Sequence, residues 1–159
     1  MIPRRRALVM IASLTMFALS ADGNAQTGAK KSDSVVKVTA SADKPDADGK
    51  QSVTITLTID KGWHAYANPV GLSDLADVQT TVAITAKTKP DAVKVAYPAG
   101  KQIKDKIVGD YNVYEDKAVI KAVVQRPKGD ASPLEVTVKL QACSDQKCLL
   151  PATVKLNVP

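Results

Sequence analysis

The sequence predicts an all-β protein, an antiparallel β-sandwich of about seven to nine short strands. Three observations carry that expectation. Period-two alternation of apolar and polar residues recurs along the chain, which marks strands with one buried face. Clusters of Pro, Gly and Asp separate these runs and read as turns. No stretch has a convincing helical period, and residues 73–79 offer one helical turn at most.

The N-terminus reads as an export signal. Arg4, Arg5 and Arg6 form a positive n-region, residues 7–19 are an apolar run of thirteen, and Gly23-Asn24-Ala25 offers a small-residue cleavage site. The run falls short of the ~20 residues that a membrane span needs. We therefore expect residues 1–25 to be a signal peptide, residues 26–34 a polar leader, and residues 35–159 the domain. Export implies a periplasmic location, where cysteines can stay oxidised. The mature form is expected to be a monomer that does not span the membrane.

Cleavage after Ala25 lowers the formal charge from +6 to +4, with 19 basic against 15 acidic residues. No Lys/Arg cluster is interleaved with aromatics, so nucleic acid is not an expected partner. The remaining length of about 130 residues fits one domain with a real core.

Strands follow in order. Val36 and Val38 start the first. Residues 45–49, Pro-Asp-Ala-Asp-Gly, make a turn. Val53, Ile55, Leu57 and Ile59 alternate with Ser52, Thr54, Thr56 and Thr58, the clearest strand in the chain. Val78 to Ala86 and Val93 to Tyr97 suggest two more. Ala118, Ile120, Ala122 and Val124 line one face of the next, and a turn-rich break over 127–133 follows. Val136, Val138, Leu140 and Ala142 share a face, as do Val154, Leu156 and Val158.

Between those last two strands lies Gln141-Ala142-Cys143-Ser144-Asp145-Gln146-Lys147-Cys148-Leu149-Leu150-Pro151, which holds both cysteines of the protein. The two strands form a hairpin with the cysteines at its shoulders, where alpha carbons can come within the ~4.4–6.8 Å of a disulfide. Cys143 continues the polar face of Thr137, Lys139 and Gln141, which places it near the surface. A structural staple and a redox-active pair both fit this spacing. The closed loop is very short, so a staple here adds less than the ~3 kcal/mol of a 15-residue loop. A third use, with His64 and both thiolates on Cu(I) or Zn(II), falls short of the four protein ligands usual for structural zinc. No metal and no cofactor is expected.

Two further stretches stand out. Gly62-Trp63-His64-Ala65-Tyr66 holds the only Trp and the only His, and fits a strand end packed on the core edge. From Tyr97-Pro98 through Gly109 to Tyr114 runs a lysine-rich polar loop ending at a glycine turn. Long loops in compact domains often act as lids; a solvated linker is the plain alternative.

Together these three stretches, in order and rough spacing over residues 35–158, resemble the N-terminal periplasmic domain of the thiol:disulfide interchange protein DsbD. The cysteine piece with its trailing proline is the most specific. The resemblance implies an immunoglobulin-like sandwich that passes electrons between thioredoxin-like proteins. It implies that Cys143 and Cys148 are the redox pair and that Cys148 forms the mixed disulfide with partners. His64 and Tyr66 match positions where the family often has tyrosines beside the disulfide. Asp105, Lys106, Ile107, Val108 and Gly109 match a cap loop that shields the pair; where the family often presents a phenylalanine, this chain has Ile107. The chain stops at Pro159 without DsbD's membrane and C-terminal thioredoxin domains, which implies a separate electron donor in the membrane.

In this mechanism Lys147 favours the Cys148 thiolate and Asp145 opposes it. His64, if near, can hold or shuttle the proton. The rival reading is a non-enzymatic periplasmic binding module with a structural disulfide.

Overall fold

The computed structural model describes residues 29–159. The expected signal over 1–25 lies outside these residues. Eleven strands are present among them: β1 (Val36–Ala42), β2 (Lys50–Ile59), β3 (His64–Tyr66), β4 (Thr81–Ala86), β5 (Ala92–Ala96), β6 (Lys101–Ile103), β7 (Tyr111–Tyr114), β8 (Lys117–Gln125), β9 (Leu134–Leu140), β10 (Ala142–Cys143) and β11 (Ala152–Val158).

The alternation seen in the sequence decides what faces inward. In β2, Val53, Ile55, Leu57 and Ile59 are buried while their threonine and serine neighbours face out or lie half-buried. Strand β2 pairs with β1 on one side and β8 on the other, and β5 completes the sheet. A second sheet, β11-β9-β4, lies across from it. Leu134, Val136, Val138 and Leu140 of β9 join Ile55, Leu57, Ile120 and Val124 of the first sheet in one core. Full burial of side chains this size stabilises by about 1.5–3 kcal/mol each. The predicted antiparallel sandwich is therefore the architecture of the chain.

Several boundaries differ from the sequence expectation. The strand expected from Val78 begins at Thr81, because residues Ser73–Val78 wind into a 3-10 helix. The stretch expected as a loop from Tyr97 to Tyr114 contains two short strands. Strands β6 and β7 pair with each other, and with β3 and β10 they form a third small sheet in the order β10-β3-β7-β6. Runs of two to four residues are too short to show a period, so their pairing is not written in the local pattern. Gly100 lets the chain enter β6 against this sheet: a Cβ there would lie 2.6 Å from Ala67 Cβ and 2.9 Å from Asn112 Cβ.

The two ends of the sandwich are closed differently. At the end where β9 begins, the buried Arg126 donates through Nη1 to Gln51 Oε1 at 2.7 Å and pairs with Asp130 at 3.1 Å. Gln51 Nε2 in turn donates to the carbonyls of Asp43 and Pro159, tying down the C-terminus. At the end where β9 finishes, the small third sheet covers the core and carries the cysteines.

Candidate functional site

Strand β9 keeps its pairing with β11 up to Leu140, opposite Ala152. The next residues then change sheets. Ala142 pairs with Ala65 and Cys143 with His64 of β3. The chain turns at once and returns, placing Cys148 opposite Cys143. Bonds from Ser144 N–H to Lys147 O (2.8 Å) and from Leu149 N–H to Ala142 O (2.9 Å) flank the cysteines. The pair therefore occupies a non-hydrogen-bonded rung, where side chains approach most closely. The alpha carbons are 3.9 Å apart, below the range expected from the sequence, and Cys143 and Cys148 form a disulfide. The Ser144 hydroxyl accepts weakly from the N–H groups of Gln146 and Lys147, both at 3.3 Å, and shapes the tip.

Cys143 is buried, at 3% exposure, and not near the surface as its place on the polar face of β9 predicted. That face is solvated only while β4 and β11 flank the strand. Beyond Leu140 the same face is covered by Tyr66 and by the returning Cys148. Cys148 is exposed. The two sulfurs are thus unequal: one faces solvent and one does not.

Tyr66 is the nearest side-chain donor. Its hydroxyl lies 3.4 Å from Cys143 Sγ and 3.9 Å from Cys148 Sγ. In the oxidised pair neither sulfur carries a hydrogen, so the phenol is the donor. Burial and then the neighbouring Tyr111 push its pKa above the usual phenol value, which keeps the proton in place. Tyr111, at the start of β7, packs edge-on against Tyr66 with ring centres 5.9 Å apart. His64 packs edge-on from the other side at 6.3 Å. Alternation along β3 explains why both residues face the disulfide while Ala65 between them points into the core.

His64 lies in a cleft of about 260 Å³ lined by Gly62, Trp63, Glu115, Asp116 and Asp145. Burial holds its pKa below 6.5; Glu115 and Asp145 pull it back up, and Lys101 pushes it down. The imidazole is therefore neutral at pH 7. In the unfolded chain it would bind a proton near pH 6.5, whereas the fold resists that proton. Stability should accordingly fall as pH drops through 6.5 toward the folded pKa. Since the protein has one histidine, its NMR titration is unambiguous. We expect a midpoint below 6.5 and a flatter stability profile between pH 7 and 5 in His64→Gln; a midpoint at or above 6.5 would contradict the burial argument.

The loop expected to cap the pair spans residues 104–110 between β6 and β7. Asp105 Oδ1 accepts from the N–H groups of Ile107 (2.7 Å) and Val108 (3.1 Å), which holds its pKa down. Gly109 ends the turn at φ 103°, a left-handed conformation that favours glycine. Ile107 stands 94% exposed and Val108 57% exposed at the tip, so in this conformation Cys148 remains uncovered. The base of the loop is close to the site, since it leads into Tyr111, which packs on Tyr66; burial first, then Asp105 and Asp145, push the Tyr111 pKa up.

Cys143, Cys148, His64 and Tyr66, all expected at the site from the sequence, are brought together by the fold. Tyr111 joins them without having been expected there, although it lies within the Tyr97–Tyr114 stretch. Tyr114, part of the same stretch, is framework: its hydroxyl donates to Pro98 O at 3.1 Å and accepts from Asn68 N–H at 3.2 Å. Among the described residues, no group of three or more His, Cys, Asp or Glu side chains is placed to hold a metal ion.

Residues 31–159 match the family model for the N-terminal region of the thiol:disulfide interchange protein DsbD. The chain belongs to the DsbD N-terminal domain family. No curated protein matches it by sequence. Solved structures share the fold at low identity. The reduced DsbD N-terminal domain of Neisseria meningitidis is 15% identical with a TM-score of 0.52, over 79% of this chain and 85% of that one. The N-terminal periplasmic domain of ScsB from Proteus mirabilis is 18% identical with a TM-score of 0.60, over 77% of this chain and 45% of that one. A complex of the DsbD and PilB N-terminal domains from N. meningitidis matches at 15% identity and a TM-score of 0.51, over 74% and 80%. The immunoglobulin-like sandwich implied by the DsbD resemblance is thus the fold of this chain. At one end of that sandwich lies the Cys143–Cys148 disulfide.

Proposed function

We propose that the domain carries electrons between thioredoxin-like proteins in the periplasm by opening and closing the Cys143–Cys148 bond. The observation that carries this reading is the inequality of the sulfurs, with Cys148 exposed and Cys143 buried beneath the Tyr66 hydroxyl.

The donor's thiolate attacks Cys148 Sγ, a donor–Cys148 disulfide forms, and the Cys143–Cys148 bond breaks. Cys143 leaves as a thiolate, accepts a hydrogen bond from Tyr66 and then takes up a proton from water. The donor's second thiolate attacks its own bonded sulfur and releases Cys148 as a thiolate, which also takes up a proton from water. Two electrons have then moved from the donor dithiolate to this domain, and the donor is left as a disulfide. Toward an acceptor the steps reverse: Cys148 thiolate attacks the acceptor disulfide and Cys143 resolves the intermediate. His64 and Tyr66 support the pair, and no cofactor takes part. Residues 105–109 form an adjustable cover whose apolar tip, Ile107 and Val108, meets the incoming partner.

Several observations support this reading. The family is one of thiol:disulfide interchange proteins. A relative with the same fold has been solved in complex with the PilB N-terminal domain, and another is described as periplasmic. The basic n-region and apolar run fit export. Electrons would come from a separate membrane protein, and the domain would act as a monomer.

A redox titration tests it. An exchanging disulfide should have a reduction potential less negative than ~−300 mV, whereas a structural bond should lie below that value. A result below it would favour a binding module stapled by its disulfide.

A further inference from the structure

The hairpin that carries the cysteines has only a few rungs of its own. Ser144–Lys147 and Ala142–Leu149 are joined by single backbone bonds, with the cysteines between them. One step further the legs part. The Ala142 N–H finds no acceptor on the opposite leg, and the Leu149 carbonyl there is taken by Gln141 Nε2 at 2.9 Å.

A residue from far away in the chain fills this gap. The Ser32 hydroxyl accepts from Ala142 N–H at 2.9 Å and donates to Leu150 O at 2.8 Å. One oxygen atom therefore joins the two legs of the hairpin at its base. Ser32 N–H also donates to Leu150 O at 2.9 Å, and Leu150 N–H donates to Lys30 O at 3.2 Å. Ser32 is fully buried, at 0% exposure, in a segment that the sequence presents as a polar leader. Ala142 is equally buried, so its N–H could not turn to water instead.

We propose that Ser32 is a positioning residue for the redox pair, holding Cys143 and Cys148 in register while the bond between them is open. In the oxidised form the covalent bond itself holds the legs together. In the reduced form only the hydrogen bonds remain, and the serine bridge closes the end of the ladder that the turn does not. Keeping two thiols adjacent raises the effective concentration of one at the other, which favours the disulfide. Ser32 thereby helps to set the reduction potential. The inference rests on the exchange reading for its significance, but not for its measurement.

The test compares the parent protein with Ser32→Ala and Ser32→Thr in buffers of reduced and oxidised dithiothreitol, which can titrate even a structural disulfide. Each protein disulfide is reduced by one dithiothreitol dithiol, which becomes the cyclic disulfide. Ser32→Ala should lower the equilibrium constant for closing the bond about tenfold, making the potential about 30 mV less negative. Ser32→Thr, which keeps the hydroxyl, should restore it. A general loss of stability shared by both redox forms would not move the potential. An unchanged potential in a folded Ser32→Ala protein would overturn the proposal, whatever the absolute value says about exchange. Hydrogen exchange of the reduced parent protein gives an answer without any variant. The Ala142 and Leu149 amides should stay protected after reduction, and their rapid exchange would also overturn it.

Discussion

Cys143→Ser protein should accumulate a mixed disulfide with thioredoxin-like proteins through Cys148, while Cys148→Ser should accumulate little. Access to the sulfurs decides the difference. Thiol–disulfide exchange needs the two sulfurs and the leaving sulfur in line, with an open path to the one attacked. Cys148 is exposed at the edge of a turn, whereas Cys143 is 3% exposed and lies under Tyr66. Replacing the buried cysteine removes the group that resolves the intermediate, so the intermediate should persist. Replacing the exposed one removes the point of attack. The double replacement should abolish exchange entirely and leave the sandwich folded, because the core of β2, β8 and β9 contains neither sulfur. Its cost should be less than the ~3 kcal/mol of a 15-residue disulfide loop. Mass spectrometry of trapped adducts and a denaturation curve read both halves. Equal, negligible trapping by the two single variants would put the binding-module reading ahead, and collapse of the double variant would mark the bond as structural.

Removal of one oxygen atom should slow reduction of the disulfide by about tenfold or more. The substitution is Tyr66→Phe, read as the rate constant with dithiothreitol. When Cys148 is attacked, negative charge develops on Cys143 Sγ in a buried place. The Tyr66 hydroxyl, 3.4 Å away, is positioned to donate to it. Hydrogen bonds to charged groups contribute about 1.5–3 kcal/mol, and each 1.36 kcal/mol is a factor of ten in rate. The raised pKa of Tyr66 means that this donor persists through neutral and mildly alkaline pH. Phenylalanine keeps the ring that packs on Tyr111 and His64, so the site should retain its shape. Tyr111→Phe is the control, since Tyr111 makes no hydrogen bond to either sulfur among the described residues. A Tyr66→Phe rate within twofold of the parent would remove the phenol from the mechanism.

Much of this was legible in the residues themselves. The alternation of Val53, Ile55, Leu57 and Ile59 specified a half-buried strand, and the same period in 118–124 and 136–142 specified two more. A side-chain period of two is a local property, so it survives in the sequence whatever the strand pairs with. The cysteine spacing and the aromatic stretch around His64 likewise pointed to a disulfide with His64 and Tyr66 beside it, through their resemblance to DsbD.

What tertiary structure decided is the inequality within the site. Local pattern placed Cys143 on a solvated face, and it is buried because the chain changes sheets after Leu140 and meets β3. Residues 26–34 read as a polar leader, yet Ser32 is buried 110 residues in sequence from the amide that it accepts from. Tyr111 joins Tyr66 through the pairing of β7 with β3, and β7 is too short to display a period. A strand's own residues record which of its faces is apolar, but not what comes to cover the other face. That depends on hydrogen-bonded pairing between distant segments, and here the pairing determines which of the two sulfurs a partner can reach.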